Sequence, residues 1–179
     1  MMRSIPLLAL AVLLGAALPR AFAPAAPSAI ATDKQIWTST IGYIQTAAEQ
    51  MPESSYAYHP VSTVRTFGAL IGHIAGAQRM TCAAALADKA TGEDDIEKST
   101  TGKAALVAAL KASTEYCQKA YAMSDADAMN RQVKLFGMDQ SAMWAVLENT
   151  AHVSEHYGNI VTYMRMLGMV PPSSQPQPR

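Results

Sequence analysis

Apolar residues recur every three to four positions in four long segments of this chain, and this periodicity restricts the folds open to it. In the first segment, Ile36, Ile41 and Ile44 carry the repeat. Residues at such spacing lie on one face of a helix and predict that this face is buried. The predicted helices span residues 33–51, 62–88, 102–121 and 139–168. Four amphipathic helices without a convincing strand pattern predict an all-α fold, a four-helix bundle.

Capping and helix-breaking residues separate these segments. The candidate caps are Thr32 or Asp33 for the first helix, Ser62 for the second, and Asp139 or Ser141 for the fourth. Pro52 stops the first helix and Gly168 ends the last. The acidic stretch 91–100 is predicted to be a solvated loop. Residues 123–138 form a longer connection, in which a short extended piece is expected to dock through Val133, Leu135 and Phe136.

The first 25 residues are predicted to be a signal peptide. The apolar stretch 5–18 follows Arg3 and is shorter than the roughly 18 residues that a membrane span needs. Cleavage after Ala23, Ala25 or Ala31 fits the A-x-A pattern, and Pro24 disfavours the first of these. We expect cleavage after Ala25, export to the periplasm or beyond the cell, and no membrane association after cleavage. The predicted organisation is signal peptide 1–25, linker 26–32, bundle 33–170 and a disordered tail 171–179.

The charge of the chain is balanced, with 14 Lys and Arg against 14 Asp and Glu. Removing the signal peptide deletes Arg3 and Arg20, which changes the formal charge from zero to about minus two. A near-neutral chain has no electrostatic basis for binding nucleic acid or an acidic membrane. Roughly 150 mature residues suit a single domain.

Three of the four histidines are placed to hold one metal ion. His152 and His156 are four residues apart on the fourth helix and share a face with Ile160, whereas His73 lies near the midpoint of the second helix. Burying three imidazoles without a partner would cost about 1–3 kcal/mol for each unsatisfied nitrogen. We therefore predict a three-histidine site with an open coordination position. Imidazole suits zinc, nickel, cobalt, iron or copper, and we expect a divalent transition metal, zinc or nickel first.

Other interpretations of these residues remain open. A histidine on an apolar face is more often an ordinary core residue. The segment 152–156 also matches the H-x-x-E-H pattern of inverted zinc peptidases, with Glu155 as the base, but no acidic residue follows Gly168 to complete that site. His59 precedes a proline in a linker and is predicted at the surface or at a pocket rim. Glu148 could orient His152 or make an ordinary helix contact.

Several stretches together resemble one known family. They are Met51-Pro52 through Tyr56, residues 64–68 leading to Gly72-His73-Ile74-Ala75, residues 152–165, and Gly168 followed by Pro171-Pro172-Ser173-Ser174. Between about Trp37 and Ser174 the chain resembles the DinB/YfiT-like family of metal-dependent four-helix proteins. The resemblance implies an up-down-down-up bundle with a crossover between helices two and three. It also implies a metal site at His73, His152 and His156.

The resemblance has two further implications. Parallel second and third helices would bring Cys82 and Cys117 to the same end of the bundle, which predicts a disulfide closing a loop of about 35 residues. Otherwise each cysteine is an ordinary buried thiol. Characterised relatives are similar to transferases and isomerases that use cytosolic thiols, and the export signal of this chain departs from that setting.

We expect a metal-dependent hydrolase or transferase acting on a small molecule, with Tyr56, Tyr58 and Arg65 near the pocket and a homodimer as a further expectation. The alternative is a non-catalytic exported bundle that binds a ligand or partner, its metal structural or absent.

Overall fold

The computed structural model describes residues 28–89 and 91–176. Its helices are α1 (Ala29–Gln50), α2 (Phe67–Leu86), α3 (Asp95–Ser99), α4 (Lys103–Cys117), α5 (Asp125–Asn130) and α6 (Ala142–Met166). Two strands, β1 (Gln132–Leu135) and β2 (Met138–Ser141), precede α6, and short 3-10 turns span Glu53–Ser55, Ala120–Ala122 and Pro172–Ser174. The predicted signal peptide lies outside the described residues. None of the helices within the described ranges is long and apolar enough to cross a membrane.

Helices α2 and α4 run parallel, side by side. The Gln78 side chain on α2 donates to Ser113 Oγ on α4 at 3.2 Å. Four residues further along each helix, Cys82 and Cys117 form a disulfide with their Cα atoms 5.3 Å apart. From the first contact to the second, the residue numbers increase along both helices, so α2 and α4 are parallel. The chain between them must therefore cross from one end of the bundle to the other, as predicted. The predicted disulfide is confirmed.

The other two long helices complete the bundle. On α1 and α6, Thr150 Oγ1 donates to Asp33 at 3.0 Å and Tyr43 stacks on Tyr157 further along, so these helices are parallel to each other. In contrast, α6 runs antiparallel to α2, since the hydroxyl of Tyr163, late in α6, donates to the residue 65 carbonyl before α2 begins. The bundle is therefore up-down-down-up, as the family resemblance predicts.

A polar group fills the middle of the core. Gln78 is fully buried, and its oxygen accepts a hydrogen bond from Trp37 Nε1 at 2.8 Å. Its amide nitrogen donates to Ser113 and Thr114 at 3.2 and 3.3 Å. The Trp37 ring also stacks on Tyr121, with the ring centroids 4.2 Å apart. Because the polar atoms of the Gln78 side chain and the Trp37 indole all have partners, this group joins α1, α2 and α4 at no desolvation cost of its own.

Helix α1 begins earlier than predicted. It starts at Ala29, inside the predicted linker 26–32, because Ser28 caps it by accepting a hydrogen bond from the N3 backbone N–H. The Asp125 carboxylate, distant in sequence, accepts a second bond from the Ala29 N–H at 2.8 Å. Asp33, a predicted cap, instead lies in the helix interior and is buried.

The start of α2 also differs from the prediction. Thr66 caps this helix by accepting a hydrogen bond from the Ala69 N–H at 3.1 Å, so the cap lies four residues after the predicted cap Ser62. Residues 61–65 form a turn that precedes the helix.

The acidic stretch 91–100 is not the solvated loop that its composition predicts. It contains the five-residue helix α3, which lies against α2. Two glycines on α2 permit this contact: a Cβ on Gly76 would overlap the carbonyl oxygen of Glu93, and one on Gly72 would lie 2.9 Å from the Cα of Glu97. Backbone therefore packs directly on backbone at this face of α2.

A β-hairpin occupies the connection before α6. Strand β1 pairs antiparallel with β2, and Phe136 and Gly137 form the turn with φ of 52° and 76°. Val133 and Leu135 dock on the core, as predicted. The prediction is wrong for Phe136, which is half exposed because it lies in the turn. The strand pattern is only four residues long, too short to stand out in the sequence.

The end of the chain is more ordered than predicted. Gly168 adopts φ 75° after α6, as a helix-ending glycine does. The chain then returns along the bundle, where Pro172 is buried and the Ser173 N–H donates to the Tyr157 hydroxyl at 2.9 Å. The predicted disorder is therefore wrong for residues 171–176, and residues 177–179 lie outside the described part.

Candidate metal centre

The three predicted ligands meet between α2 and α6. His152 Nε2 lies 3.2 Å from His73 Nε2 and 3.0 Å from His156 Nε2. One ring nitrogen from each residue falls within 4.8 Å of the other two. The antiparallel contact of α2 and α6 places the middle of one helix beside the middle of the other. The convergence of the three imidazoles is the arrangement that their spacing predicts.

The spacing of the nitrogens suits a single ion. Nitrogens about 2.0–2.1 Å from a tetrahedral zinc ion are separated by about 3.3 Å, close to the two measured separations. Without an ion, the three nitrogens compete for the few protons that neutral imidazoles carry. The three-nitrogen donor set and its spacing therefore fit an ion of the zinc type. His152 Nδ1 lies on the other side of its ring from Nε2, is buried and has no hydrogen-bond partner among the described residues, so it does not bear on this ion.

The surroundings keep two of these rings neutral. Burial, reinforced by the nearby imidazole of His73 and by Arg65, lowers the pKa of His152 to about 4. Burial and the neighbouring imidazoles of His152 and His73 lower the pKa of His156 to about 4 as well. Only the neutral imidazole has a lone pair free for a metal. At neutral pH these two rings are therefore in the ligating form.

The outer nitrogens of two rings have partners that orient them. Asp94 Oδ1 lies 3.3 Å from Nδ1 of His73 and accepts a hydrogen bond from the N–H at that position, which leaves Nε2 free. The Asn159 amide lies 3.1 Å from Nδ1 of His156, and an amide carries both a donor and an acceptor. Partners of this kind fix the ring orientation and tautomer of metal-binding histidines.

A basic residue organises the acids around His73. Arg65 Nε lies 3.1 and 3.2 Å from the two Glu97 oxygens, and its Nη2 lies 3.6 Å from Asp94. Lys98 also contacts Asp94 at 3.3 Å, and its hydrogen bond, with that of His73, lowers the pKa of the Asp94 carboxyl. His73, Asp94 and Glu97 also form a second group with metal-ligand spacing. Its two acids are already paired with cations, which accounts for this grouping without an ion.

A cleft of about 440 Å³ opens beside the histidines. Its wall includes His156, Asn159, Arg65 and Tyr163, and residues 60, 61, 63 and 64 line it from the connection between α1 and α2 (residues 51–66). The Tyr163 hydroxyl donates to the Arg65 carbonyl, so this wall of the cleft is fixed to that connection. The cleft is large enough for a small molecule in contact with His156.

The three predicted pocket residues lie in different surroundings. Arg65 lines the cleft. Tyr58 packs edge-to-face on Tyr163 with the centroids 6.1 Å apart. Tyr56 is buried, and its hydroxyl donates to the Ala48 carbonyl at 2.6 Å. It therefore ties the connection between α1 and α2 to α1. Tyr56 therefore does not line this cleft.

The remaining candidates lie outside the cluster. His59 is exposed, and its ring lies 2.8 Å from the Val61 carbonyl oxygen. Glu155, the base in the peptidase interpretation, is exposed on α6. Among the described residues, the carboxylates that contact the imidazoles come from the segment 93–97 and not from Glu148.

These acidic neighbours are the site residues that sequence reasoning missed. Glu93, Asp94 and Glu97 belong to a stretch whose composition predicts only a solvated loop. The available signal was the pair Gly72 and Gly76, four residues apart and on either side of His73 in sequence. Such a pair in a helix marks the close approach of another segment.

Comparisons with known proteins agree with this architecture. The model of the DinB superfamily matches residues 36–165. The crystal structure of a DinB-like protein from Bacillus cereus is similar with a TM-score of 0.65 and 19% identity, covering 78% of this chain and 93% of that one. A DinB-like protein from Bacillus subtilis, YjoA, is similar with a TM-score of 0.62 and 18% identity, covering 81% and 99%. No curated protein matches the chain.

Proposed function

The chain belongs to the DinB superfamily, and on this basis we propose that it binds one divalent transition-metal ion, zinc or nickel, through His73, His152 and His156. One observation carries the proposal: three Nε2 atoms from two helices converge at 3.0–3.2 Å from their neighbours. Helix packing alone does not require three imidazoles to point at one another, whereas a shared ion does.

We further propose that the bound ion serves a hydrolase or transferase reaction on a small molecule. The ion would supply Lewis-acid polarisation of a substrate oxygen. The cleft beside His156 supports this proposal, because it has room for a ligand in contact with one of the three rings. Arg65 and Asn159 in its wall would orient polar groups of that ligand. The Asp94 carboxylate would hold the proton at Nδ1 of His73 and keep its Nε2 available.

The test is the metal content of protein purified without a histidine tag. We expect about one zinc or nickel ion per chain by elemental analysis, and loss of that ion in the His73→Ala and His152→Ala variants. The matched control is His59→Ala, which removes an exposed histidine outside the cluster. A wild-type protein without bound metal after incubation with zinc or nickel would refute the proposal.

A non-catalytic bundle is the second candidate, because His73 and His156 are only 5% and 8% exposed. Added imidazole separates the two functions. An open site should bind imidazole and change the visible spectrum of the cobalt-substituted protein. A closed structural site should not, and a chelator that removes its ion should also lower the unfolding temperature sharply.

We also propose export. The Cys82–Cys117 disulfide supports this, since disulfides persist in oxidising compartments and are rare in the cytosol. Mass analysis of protein from the periplasmic or secreted fraction should find a chain beginning at Ala26 with no free thiol. A protein confined to the cytoplasm, starting at Met1, would contradict the proposal. The same material on a sizing column would test the expected homodimer.

A further inference from the structure

A fourth side chain faces the three imidazoles from the crossover segment. We propose that the carboxylate of Glu93 is a fourth donor to the ion held by the three histidines, and that it covers the coordination position that they leave open. The inference rests on the proposed metal site. It adds a ligand that lies outside the helices.

The distances place this carboxylate beside the ligating nitrogens. Glu93 Oε1 lies 3.5 Å from His73 Nε2 and 3.8 Å from His152 Nε2. An oxygen about 2.0–2.2 Å and a nitrogen about 2.0–2.1 Å from one tetrahedral ion are separated by roughly 3.4 Å. A shift of a few tenths of an ångström by a flexible side chain brings the oxygen to that separation from both nitrogens.

The backbone of Glu93 is held in place, so the approach of its side chain is built into the fold. Its carbonyl oxygen would overlap a Cβ on Gly76, which is less than one helical turn from His73. The Asp95 carboxylate accepts a hydrogen bond from the Gly92 N–H at 2.6 Å, and the Asp95 N–H donates back to the Gly92 carbonyl at 3.2 Å. This turn holds the two residues between them, Glu93 and Asp94, beside α2.

Glu93 also differs from its acidic neighbours in its partners. Asp94 and Glu97 pair with Arg65, and Asp94 also pairs with Lys98. For Glu93, the partners found within the described part of the chain are the imidazoles of His73 and His152. A divalent ion between these two rings would stabilise the carboxylate strongly. The unpaired acid is thus the one nearest the convergence point.

This arrangement defines how the site would open. The Glu93 side chain is about a third exposed (37%), whereas His73 beneath it is 6% exposed. A small-molecule ligand that binds the ion must displace the carboxylate, and the three histidines retain the metal while it does so. Glu93 would thus lower the affinity for added ligands while it raises the affinity for the metal.

The experiment uses the cobalt(II)-substituted protein. The Glu93→Gln variant removes the charge at nearly constant shape, and Glu155→Gln removes an exposed charge next to a ligand as the matched control. Cobalt affinity is measured by competition with a chelator, and the ligand set by visible absorption. We expect Glu93→Gln to weaken cobalt binding at least tenfold, to change the absorption bands, and to tighten imidazole binding. The control should stay within about twofold of wild type.

The outcomes separate this inference from the proposed function. If Glu93→Gln matches Glu155→Gln in cobalt affinity and spectrum while His152→Ala abolishes binding, the three-histidine site stands and the fourth donor is refuted. If the wild-type protein binds no cobalt, the metal site and the fourth donor fail together. Circular dichroism of the metal-free variants checks that each is folded, and Glu93→Asp, with its shorter reach, should have an intermediate affinity.

Discussion

Replacing Gly76 by alanine tests whether the crossover segment is packed on α2 as tightly as the structure indicates. Gly76 is a helix-interior glycine, and so is Gly42 on α1. In a helix interior, alanine is favoured over glycine by about 0.5–1 kcal/mol. The two substitutions therefore share the same intrinsic gain, and the difference between them reports only the surroundings of the added methyl group.

The added methyl group would find open space at position 42 and an occupied site at position 76. Nothing lies within 4 Å of a Cβ on Gly42, so Gly42→Ala should raise the free energy of unfolding by about 0.5–1 kcal/mol. A Cβ on Gly76 would overlap the Glu93 carbonyl oxygen, which would have to retreat by roughly 1 Å. This atom belongs to the backbone and cannot rotate away. Overpacking of this kind costs about 1–3 kcal/mol, so Gly76→Ala should be about 1–3 kcal/mol less stable than Gly42→Ala.

The assay is urea unfolding of the metal-free, disulfide-intact proteins, followed by circular dichroism, with the midpoint and slope determined for each variant. Metal affinity gives a second readout, because displacement of the crossover segment would move Glu93 and Asp94 away from His73. The reasoning is refuted if Gly76→Ala is as stable as Gly42→Ala and binds cobalt as wild type does.

Three further predictions follow from the core. Replacing Cys82 and Cys117 together by serine should lower the free energy of unfolding by about 3–4 kcal/mol, because a loop of 35 residues is then no longer closed in the unfolded chain. An unchanged midpoint of urea unfolding would contradict this. Gln78→Leu should cost about 1–3 kcal/mol because the indole N–H of Trp37 loses its acceptor, and adding Trp37→Phe should then cost less than it does in the wild-type background. Burial raises the pKa of Asp33, so its neutral form favours folding at low pH and this contribution is lost as the pH rises through the folded pKa. Asp33→Asn should therefore be more stable than wild type at pH 7 in urea unfolding, and a loss of stability there would refute the sign.

The local patterns predicted most of the bundle. Apolar periodicity identified the four long helices, because each helix buries one face and its sequence repeats that face. The spacing of four residues between His152 and His156 predicted that both side chains project from the same face of their helix. Helix starts were less predictable: α1 begins at Ala29 because Ser28 and the distant Asp125 both accept its first N–H groups. A partner 96 residues away leaves no trace in the local pattern.

The sequence alone determined which side chains are available at the candidate site and on which helix faces they lie, since helical spacing is a local property of the chain. The tertiary structure alone decided what surrounds them. The acids 93–97 meet His73 because two glycines let a crossover segment lie against α2, and the tail 171–176 is ordered because it finds hydrogen-bond partners on other helices. Such contacts join positions that are far apart in the chain, and their free energy depends on packing that no single segment encodes.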